Sequence, residues 1–105
     1  MADQPATAAT RVPEPSEVLT GLRQALTAVL DKDDLAKIDV EAVDASTPLL
    51  SLPVDSMALM ELMTRLEDAF RVYIPEDRAY QFTTMGEVID YIRDKAATKA
   101  ARKQG

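Results

Sequence analysis

The stretch Pro53–Phe70, PVDSMALMELMTRLEDAF, joins a short polar turn to the most clearly amphipathic segment of the chain. Its apolar residues recur at helical spacing, which predicts a helix with one buried stripe and one charged face. The stripe consists of Leu59, Met60, Leu62, Met63, Leu66 and Phe70. Asp55 suits the N-cap position, because its carboxylate can accept a hydrogen bond from a backbone N–H of the first turn. Ser56 is then the first helical residue.

Two interpretations of Ser56 are open at this point. An Asp-Ser pair begins many helices and by itself indicates only a helix start. Alternatively, the hydroxyl is held outward at a helix N-terminus, where N–H groups and the positive end of the helix dipole favour a phosphate attached to it. Under the second interpretation Ser56 is a modification site.

The residues before this stretch predict a leader, a helix and a long loop. Residues 1–14 are rich in Ala, Thr and Pro without apolar periodicity, which is typical of a disordered leader. Ser16 is the expected N-cap of a first helix over about residues 17–30. Residues 31–54 are expected to form one long loop. The apolar residues expected to hold that loop in place are Leu49, Leu50 and Leu52.

The residues after the central helix predict one short helical turn and a last helix. Residues 76–80 follow Pro75, which fixes the entry to the turn. Thr84 and Glu87 have the spacing of a capping box, with Thr84 as the N-cap of the last helix. The apolar stripe then fades, so residues 95–105 are expected to fray into a basic tail.

Together these elements predict an all-α fold, a small four-helix bundle. It has three main helices, one short helix and a long first connection. No strand pattern competes with the helices. One folded domain is expected over residues 15–94, because a chain of 105 residues has a core of modest size.

The composition leaves few groups that could act in catalysis or bind a metal. The chain has no cysteine and no histidine, which excludes a thiolate nucleophile, an imidazole proton shuttle and a zinc site built from them. The aspartates at positions 31, 33 and 34 lack the glycine and the terminal glutamate of an EF-hand loop. We therefore expect neither an enzyme nor a metal site.

The charge of the chain is unevenly distributed. Residues 31–94 contain 15 acidic and six basic residues, whereas residues 95–105 contain four basic residues and no acidic one. An acidic body repels nucleic acid and favours partners with basic surfaces, although it also simply keeps a small domain soluble. No secretory signal and no membrane-spanning run is recognisable. We expect a cytoplasmic monomer that binds neither nucleic acid nor membrane.

Several motifs together resemble the acyl carrier protein family. They are Asp55-Ser56-Met57, followed by Leu59, Glu61, Leu62, Leu66, Glu67 and Phe70, then Ile74-Pro75, Thr83-Thr84 and Val88-Ile89-Asp90-Tyr91-Ile92. The resemblance covers roughly residues 16–94. In that family the serine of an Asp-Ser-Leu motif carries a 4′-phosphopantetheine arm, and the match places this arm on Ser56.

The resemblance implies a carrier rather than an enzyme. A phosphopantetheinyl transferase would move the arm from coenzyme A to Ser56, with Asp55 as part of the attachment motif. Tethering an acyl thioester raises its effective concentration at acyl-loading, condensing or tailoring enzymes. The resemblance also implies that acidic residues of the central helix meet basic patches on such partners. The alternative is that these residues only form a solvated helix face. The expected docking residues are Met57, Glu61, Glu67 and Asp68.

Four positions depart from the usual pattern of the family. Val54 and Met57 replace the familiar glycine and leucine on either side of the Asp-Ser pair. Ala58 and Arg65 stand where fatty-acid carriers usually have an acidic and a small residue. These differences favour a discrete carrier in polyketide or other specialised biosynthesis. A peptidyl or aminoacyl carrier, a fatty-acid synthase carrier and, from another class, an unmodified acidic helical interaction domain are the alternatives.

Overall fold

The computed structural model describes residues 12–104, which form three long and two short α-helices. The helices are α1 (Pro15–Val29), α2 (Lys32–Leu35), α3 (Ser56–Phe70), α4 (Glu76–Ala79) and α5 (Met85–Gln104). Two 3₁₀ turns, Val40–Ala42 and Leu49–Ser51, lie between α2 and α3. Residues 12–104 contain no β-strand, and the predicted all-α class is confirmed.

The core lies where α1 packs against both α3 and α5. Its largest fully buried side chains are Val18, Leu22, Leu26, Leu62, Leu66, Met85, Val88 and Ile92. Within each helix these residues recur every three, four or seven positions, so each helix buries one apolar stripe. Burial of these stripes stabilises the bundle and leaves the opposite side of α3 in contact with solvent.

The first helix begins earlier than its sequence suggested. Glu14, rather than Ser16, is the N-cap of α1, and its N–H donates to Oε1 of Glu17 at 2.8 Å. Pro15 occupies the first helical position, where its fixed φ suits a helix and its missing N–H leaves nothing unsatisfied. The predicted cap at Ser16 is wrong for this reason.

The residues just before α1 lie against α5. Pro13 is buried, and its carbonyl accepts a hydrogen bond from Nε of Arg93 at 3.0 Å. Pro13 therefore packs on the bundle, although the sequence predicts that it belongs to a disordered leader. The rest of that leader, residues 1–11, lies outside the described residues.

The connection between α1 and α3 is more ordered than the single loop we predicted. The Asp31 carboxylate accepts from the N–H of Asp34 at 2.8 Å and caps α2. The Asp39 carboxylate accepts from the N–H of Glu41 at 3.2 Å, where the first 3₁₀ turn begins. Short local bonds of this kind satisfy the backbone of a turn, so the connection contains helical turns rather than irregular chain alone.

The second 3₁₀ turn explains why two of the three leucines near it are buried and one is exposed. Leu49 and Leu52 are buried, as expected, whereas Leu50 is 99% exposed. A 3₁₀ helix has three residues per turn, so Leu49 and Leu52 share one face and Leu50 points away from it. The prediction that Leu50 helps to hold the connection in place is therefore wrong.

The connection is bonded to the start of α5. The N–H of Leu49 donates to the carbonyl of Thr83 at 2.9 Å, and the N–H of Gly86 donates to the carbonyl of Ala45 at 2.8 Å. These bonds satisfy backbone N–H groups that have no partner within a helix. They also fix the position of the chain that leads into α3.

The last two helices follow the predicted pattern in most respects. The short helix α4 comes directly after Pro75. Thr84 Oγ1 accepts from the N–H of Glu87 at 3.3 Å, whereas the Glu87 carboxylate accepts from Thr83 at 2.6 Å rather than from Thr84. The helix α5 continues to Gln104, through residues that we expected to fray. Over the described range, no helix has both the length and the apolar character required to cross a membrane.

Candidate functional site

The start of α3 has the geometry that the sequence predicted. Asp55 is the N-cap, and its Oδ1 accepts a hydrogen bond from the N–H of Ala58 at 2.8 Å. Its own carbonyl accepts from the N–H of Leu59 at 2.8 Å, which is the first bond of the helix. Ser56 follows as the first helical residue, and its side chain is exposed to solvent.

The surroundings of Ser56 fit an attached phosphate better than an activated nucleophile. The residue lies at the first position of a 15-residue helix, whose N-terminal N–H groups and dipole stabilise negative charge. The chain contains no histidine. Among residues 12–104 no side chain accepts a hydrogen bond from the Ser56 hydroxyl. Without a neighbouring base, Ser56 is suited to be modified by another enzyme.

A cleft opens directly beside Ser56. It has a volume of about 200 Å³ and reaches from the start of α3 to the region around α4. Ala79 and Leu49 are buried in its wall, whereas Leu50 and Tyr80 are exposed on it. The remaining lining residues are Val54, Asp55, Ser56, Leu59 and Phe82. An apolar group attached at Ser56 would therefore meet apolar surface within its first few atoms.

Leu50 belongs to this site, and our reading of the sequence missed it. A leucine exposed to 99% beside a candidate attachment residue offers apolar surface to another molecule. The run Leu49-Leu50-Ser51-Leu52 contains the signal, because a 3₁₀ turn places only the first and last leucines on one face. If the run is assumed to form a 3₁₀ turn, its periodicity predicts that Leu50 lies on the surface.

Three of the four predicted docking residues share one exposed face of α3. At about 100° per residue, Met57, Glu61 and Asp68 lie within roughly 40° of one another around the helix axis. Met57 is 82% exposed, and the other two are also exposed. Glu61 lies 3.7 Å from Arg65, a solvent-exposed pair that leaves the carboxylate available. We call Met57, Glu61 and Asp68 the α3 face.

The structure gives the fourth predicted docking residue, Glu67, an internal contact. Its Oε2 accepts a hydrogen bond from the N–H of Ile74 at 2.7 Å, and the side chain is half-buried. Ile74 itself is buried. Glu67 thus holds the chain that follows α3 against the bundle, and it lies outside the α3 face.

The fold also brings acidic residues from the first connection beside the α3 face. A groove of about 260 Å³ is lined by Asp31, Asp34 and Pro53 from before α3, and by Met57 and Glu61 from the helix. The sequence predicts no calcium site at these aspartates, because the pattern of an EF-hand loop is missing. The described residues contain no cluster of side chains that could hold a metal ion. Asp31 instead caps α2, and Asp31 and Asp34 lie in the groove beside α3.

Comparison with known families agrees with this geometry. A family model described as "Phosphopantetheine attachment site" matches residues 21–92. The chain is 37% identical over 65 residues to an acyl carrier protein of Desulforapulum autotrophicum, a match that covers 61% of this chain and 84% of that protein. It is 34% identical over 80 residues to an acyl carrier protein of Borrelia garinii subsp. bavariensis, with coverage of 75% and 92%.

A solved structure shows the same architecture. The chain superposes with a TM-score of 0.66 on the 3,7-dioxo-octyl actinorhodin acyl carrier protein from Streptomyces coelicolor, determined in solution. The two sequences are 30% identical, and the match covers 86% of this chain and 96% of that one. The chain therefore belongs to the acyl carrier protein family, whose members are carriers rather than enzymes and bear a covalently attached 4′-phosphopantetheine.

Proposed function

We propose that Ser56 is the residue to which 4′-phosphopantetheine is attached. The observation that supports this most strongly is its position, exposed at the first residue of α3 and next to a cleft of about 200 Å³. When bound, the group supplies a thiol that holds acyl cargo as a thioester. Asp55 serves the site by ordering the first turn of α3, where Ser56 is exposed to solvent.

We infer the partners from two surfaces beside Ser56, the cleft and the α3 face. A phosphopantetheinyl transferase is required to load the group from coenzyme A: the Ser56 oxygen would bond to the phosphorus of the pantetheine half, adenosine 3′,5′-bisphosphate would leave and the hydroxyl proton would be lost. We propose that the α3 face then meets acyl-loading, condensing or tailoring enzymes with basic docking patches, since opposite charges steer encounter and fix orientation. Met57 and the 99%-exposed Leu50 would add apolar contact on either side of the serine.

For the pathway, we propose a discrete carrier in polyketide or other specialised biosynthesis. Val54 departs from the usual pattern of the family, and Ala58 and Arg65 differ from the residues usual in fatty-acid carriers. Val54 and Ala58 lie beside Ser56, whereas Arg65 lies farther along α3. The similar solved structure is named for a 3,7-dioxo-octyl chain, a cargo with two keto groups. Both observations support a cargo other than a plain saturated chain.

Attachment is tested by intact-protein mass spectrometry. The full chain is incubated with coenzyme A and a promiscuous phosphopantetheinyl transferase, and we expect a mass gain of one phosphopantetheine. Ser56→Ala should show no gain, because the attacking hydroxyl is gone. Ser16→Ala, which removes an exposed serine in the first turn of α1, is the matched control and should gain the full mass.

Two results would contradict the proposal. One is the same mass gain in Ser56→Ala. The other is no gain in the wild-type chain when circular dichroism shows that it is helical. The second result would instead favour an unmodified acidic interaction domain, with Asp55 and Ser56 as an ordinary helix start.

The pathway is tested by analysing the chain purified from its own cells. Fragmentation of the intact protein releases the group together with its cargo, and the mass of the released ion identifies the acyl chain. Keto-acyl cargo supports the proposed pathway. Aminoacyl cargo or saturated acyl cargo would replace it with one of the other two carrier types.

A further inference from the structure

A second surface groove lies between the end of α3 and the second half of α5. It has a volume of about 330 Å³, and all its charged lining residues are cations. They are Arg71, Lys95, Lys99 and Arg102, which we call the basic groove. Val72, Tyr73 and Pro75 supply its apolar lining. Tyr73 is 72% exposed, so the groove combines positive charge with an accessible aromatic ring.

The fold holds these cations together in a groove that no carboxylate lines, although Lys95 also lines a neighbouring pocket that contains Asp90 and Asp94. Nζ of Lys99 donates to the carbonyl of Arg71 at 2.9 Å, which ties α5 to the end of α3. Nζ of Lys95 lies 5.4 Å from the centroid of the Tyr91 ring. Within residues 12–104, no groove cation forms an ion pair with an acidic side chain. Cations arranged in this way create a positive potential that attracts an anionic partner.

We propose that the basic groove binds an acidic segment of a partner protein. Carboxylates would pair with the exposed cations, and an apolar side chain of the same segment would pack on Tyr73. A long polyanion such as nucleic acid fits less well. Beyond the groove its phosphates would meet a chain whose formal charge is −6. A short acidic segment would contact only the groove and would not reach the acidic surface beyond it.

The position of the groove makes this interaction compatible with a carrier. Arg71 follows the last residue of α3, whereas Ser56 is its first. A helix rises about 1.5 Å per residue, so the two ends are separated by roughly 22 Å. A partner bound at the basic groove would leave Ser56 accessible. The proposal does not depend on modification of Ser56, because no residue of the attachment site lines the groove.

The experiment is a titration of the isotope-labelled full chain with hexaglutamate peptide, followed by two-dimensional NMR at low salt. We expect shift changes concentrated at residues 71–75 and 91–102. The double variant Lys95→Gln/Arg102→Gln should raise the apparent Kd at least about fivefold, because two positive charges near the ligand are lost. Added salt should raise the Kd further by screening the remaining charges. Lys32→Gln, at an exposed lysine in α2, is the control and should change the Kd by less than about twofold.

A parallel titration with the hexanucleotide dT6 tests the other class of partner. Weaker binding of dT6 than of hexaglutamate supports the proposal, and equal or tighter binding of dT6 at the same residues overturns it. Absence of shifts with hexaglutamate, or equal affinity in the double variant, also overturns it. Ser56→Ala should give the same titration as the wild-type chain, so failure here is distinguishable from failure of the attachment proposal.

Discussion

At the start of α3, Asp55 and Ser56 have separate tasks. The Asp55 carboxylate is directed at the backbone, where it satisfies the N–H of Ala58. The side chain of Ser56 is exposed and has no accepting partner in the described part of the chain. Of these two adjacent polar residues, Asp55 stabilises the helix and Ser56 remains accessible to solvent.

Replacing Asp55 should therefore cost stability before it affects anything else. We expect Asp55→Ala to lower the free energy of unfolding by about 1 kcal/mol, the typical loss for a removed N-cap. The measurement is urea denaturation followed by circular dichroism. Asp55→Asn is the control, because asparagine caps about as well as aspartate. If the asparagine variant loses as much stability as the alanine variant, the hydrogen bond to Ala58 is not the cause.

At the scale of the element, α3 presents different functions on different sides. Leu62 and Leu66 are fully buried in the core on the side where α3 packs against α1, while the α3 face is exposed to solvent. Glu67 lies between these two sides and holds the chain after the helix through Ile74. The helix can therefore serve as a structural element and a recognition surface at once, because helical geometry separates the two sets of residues.

How closely the elements approach one another determines which glycines can be replaced. A Cβ added at Gly86 would lie 2.9 Å from the carbonyl oxygen of Ala45, in the connection bonded to α5. A backbone atom cannot move aside alone, so we expect Gly86→Ala to lower the free energy of unfolding by about 1–3 kcal/mol. Urea denaturation followed by circular dichroism measures this loss.

Gly21→Ala is the matched control for this clash. A Cβ at Gly21 would lie 2.8 Å from two ring atoms of Phe70. That ring is the far end of a side chain and can shift, and alanine adds about 1 kcal/mol of helix propensity in the middle of α1. We expect Gly21→Ala to cost at least about 1 kcal/mol less than Gly86→Ala. Equal losses of stability in the two variants would show that the clash with the Ala45 carbonyl does not cause the loss in Gly86→Ala.

At the scale of the whole molecule, the first connection and α5 depend on hydrogen bonds made by carboxylates. The backbone N–H of Thr83, bonded to the Glu87 carboxylate at 2.6 Å, lowers the pKa of Glu87 below its ordinary value. The hydroxyl of Ser46, bonded to Asp44 at 2.7 Å, lowers the pKa of Asp44 in the same way. Both bonds lie where the connection meets the last helix.

These shifts predict lower stability in acid. A carboxylate whose pKa is lower in the folded state contributes stability above its unfolded pKa of about 4, and this contribution is lost as pH falls through the folded value. We therefore expect the urea midpoint to fall between about pH 5 and pH 3, and to fall less in Glu87→Gln. Glu41→Gln, at an exposed carboxylate in the first 3₁₀ turn, is the control. A fall in Glu87→Gln as large as in the wild-type chain would contradict this account.

The distribution of charge is also a property of the whole molecule. Acidic residues of the first connection, Asp31 and Asp34, lie in a groove with the start of α3, whereas the basic groove lies beyond its other end. Acidic and basic grooves therefore lie at opposite ends of α3. Such an arrangement can orient the molecule as it approaches a partner.

The sequence by itself determined the bounds of α3, its Asp55 cap, the exposed position of Ser56 and the all-α class. These features arise from hydrogen bonds and periodicities within a few residues, which a local pattern contains in full. Only the tertiary structure decided that Glu67 bonds Ile74, that Leu50 faces solvent beside Ser56, and that Arg71 joins the cations of α5. Those outcomes depend on how separate segments pack, because distances between residues far apart in the chain are set by the shared core rather than by local spacing.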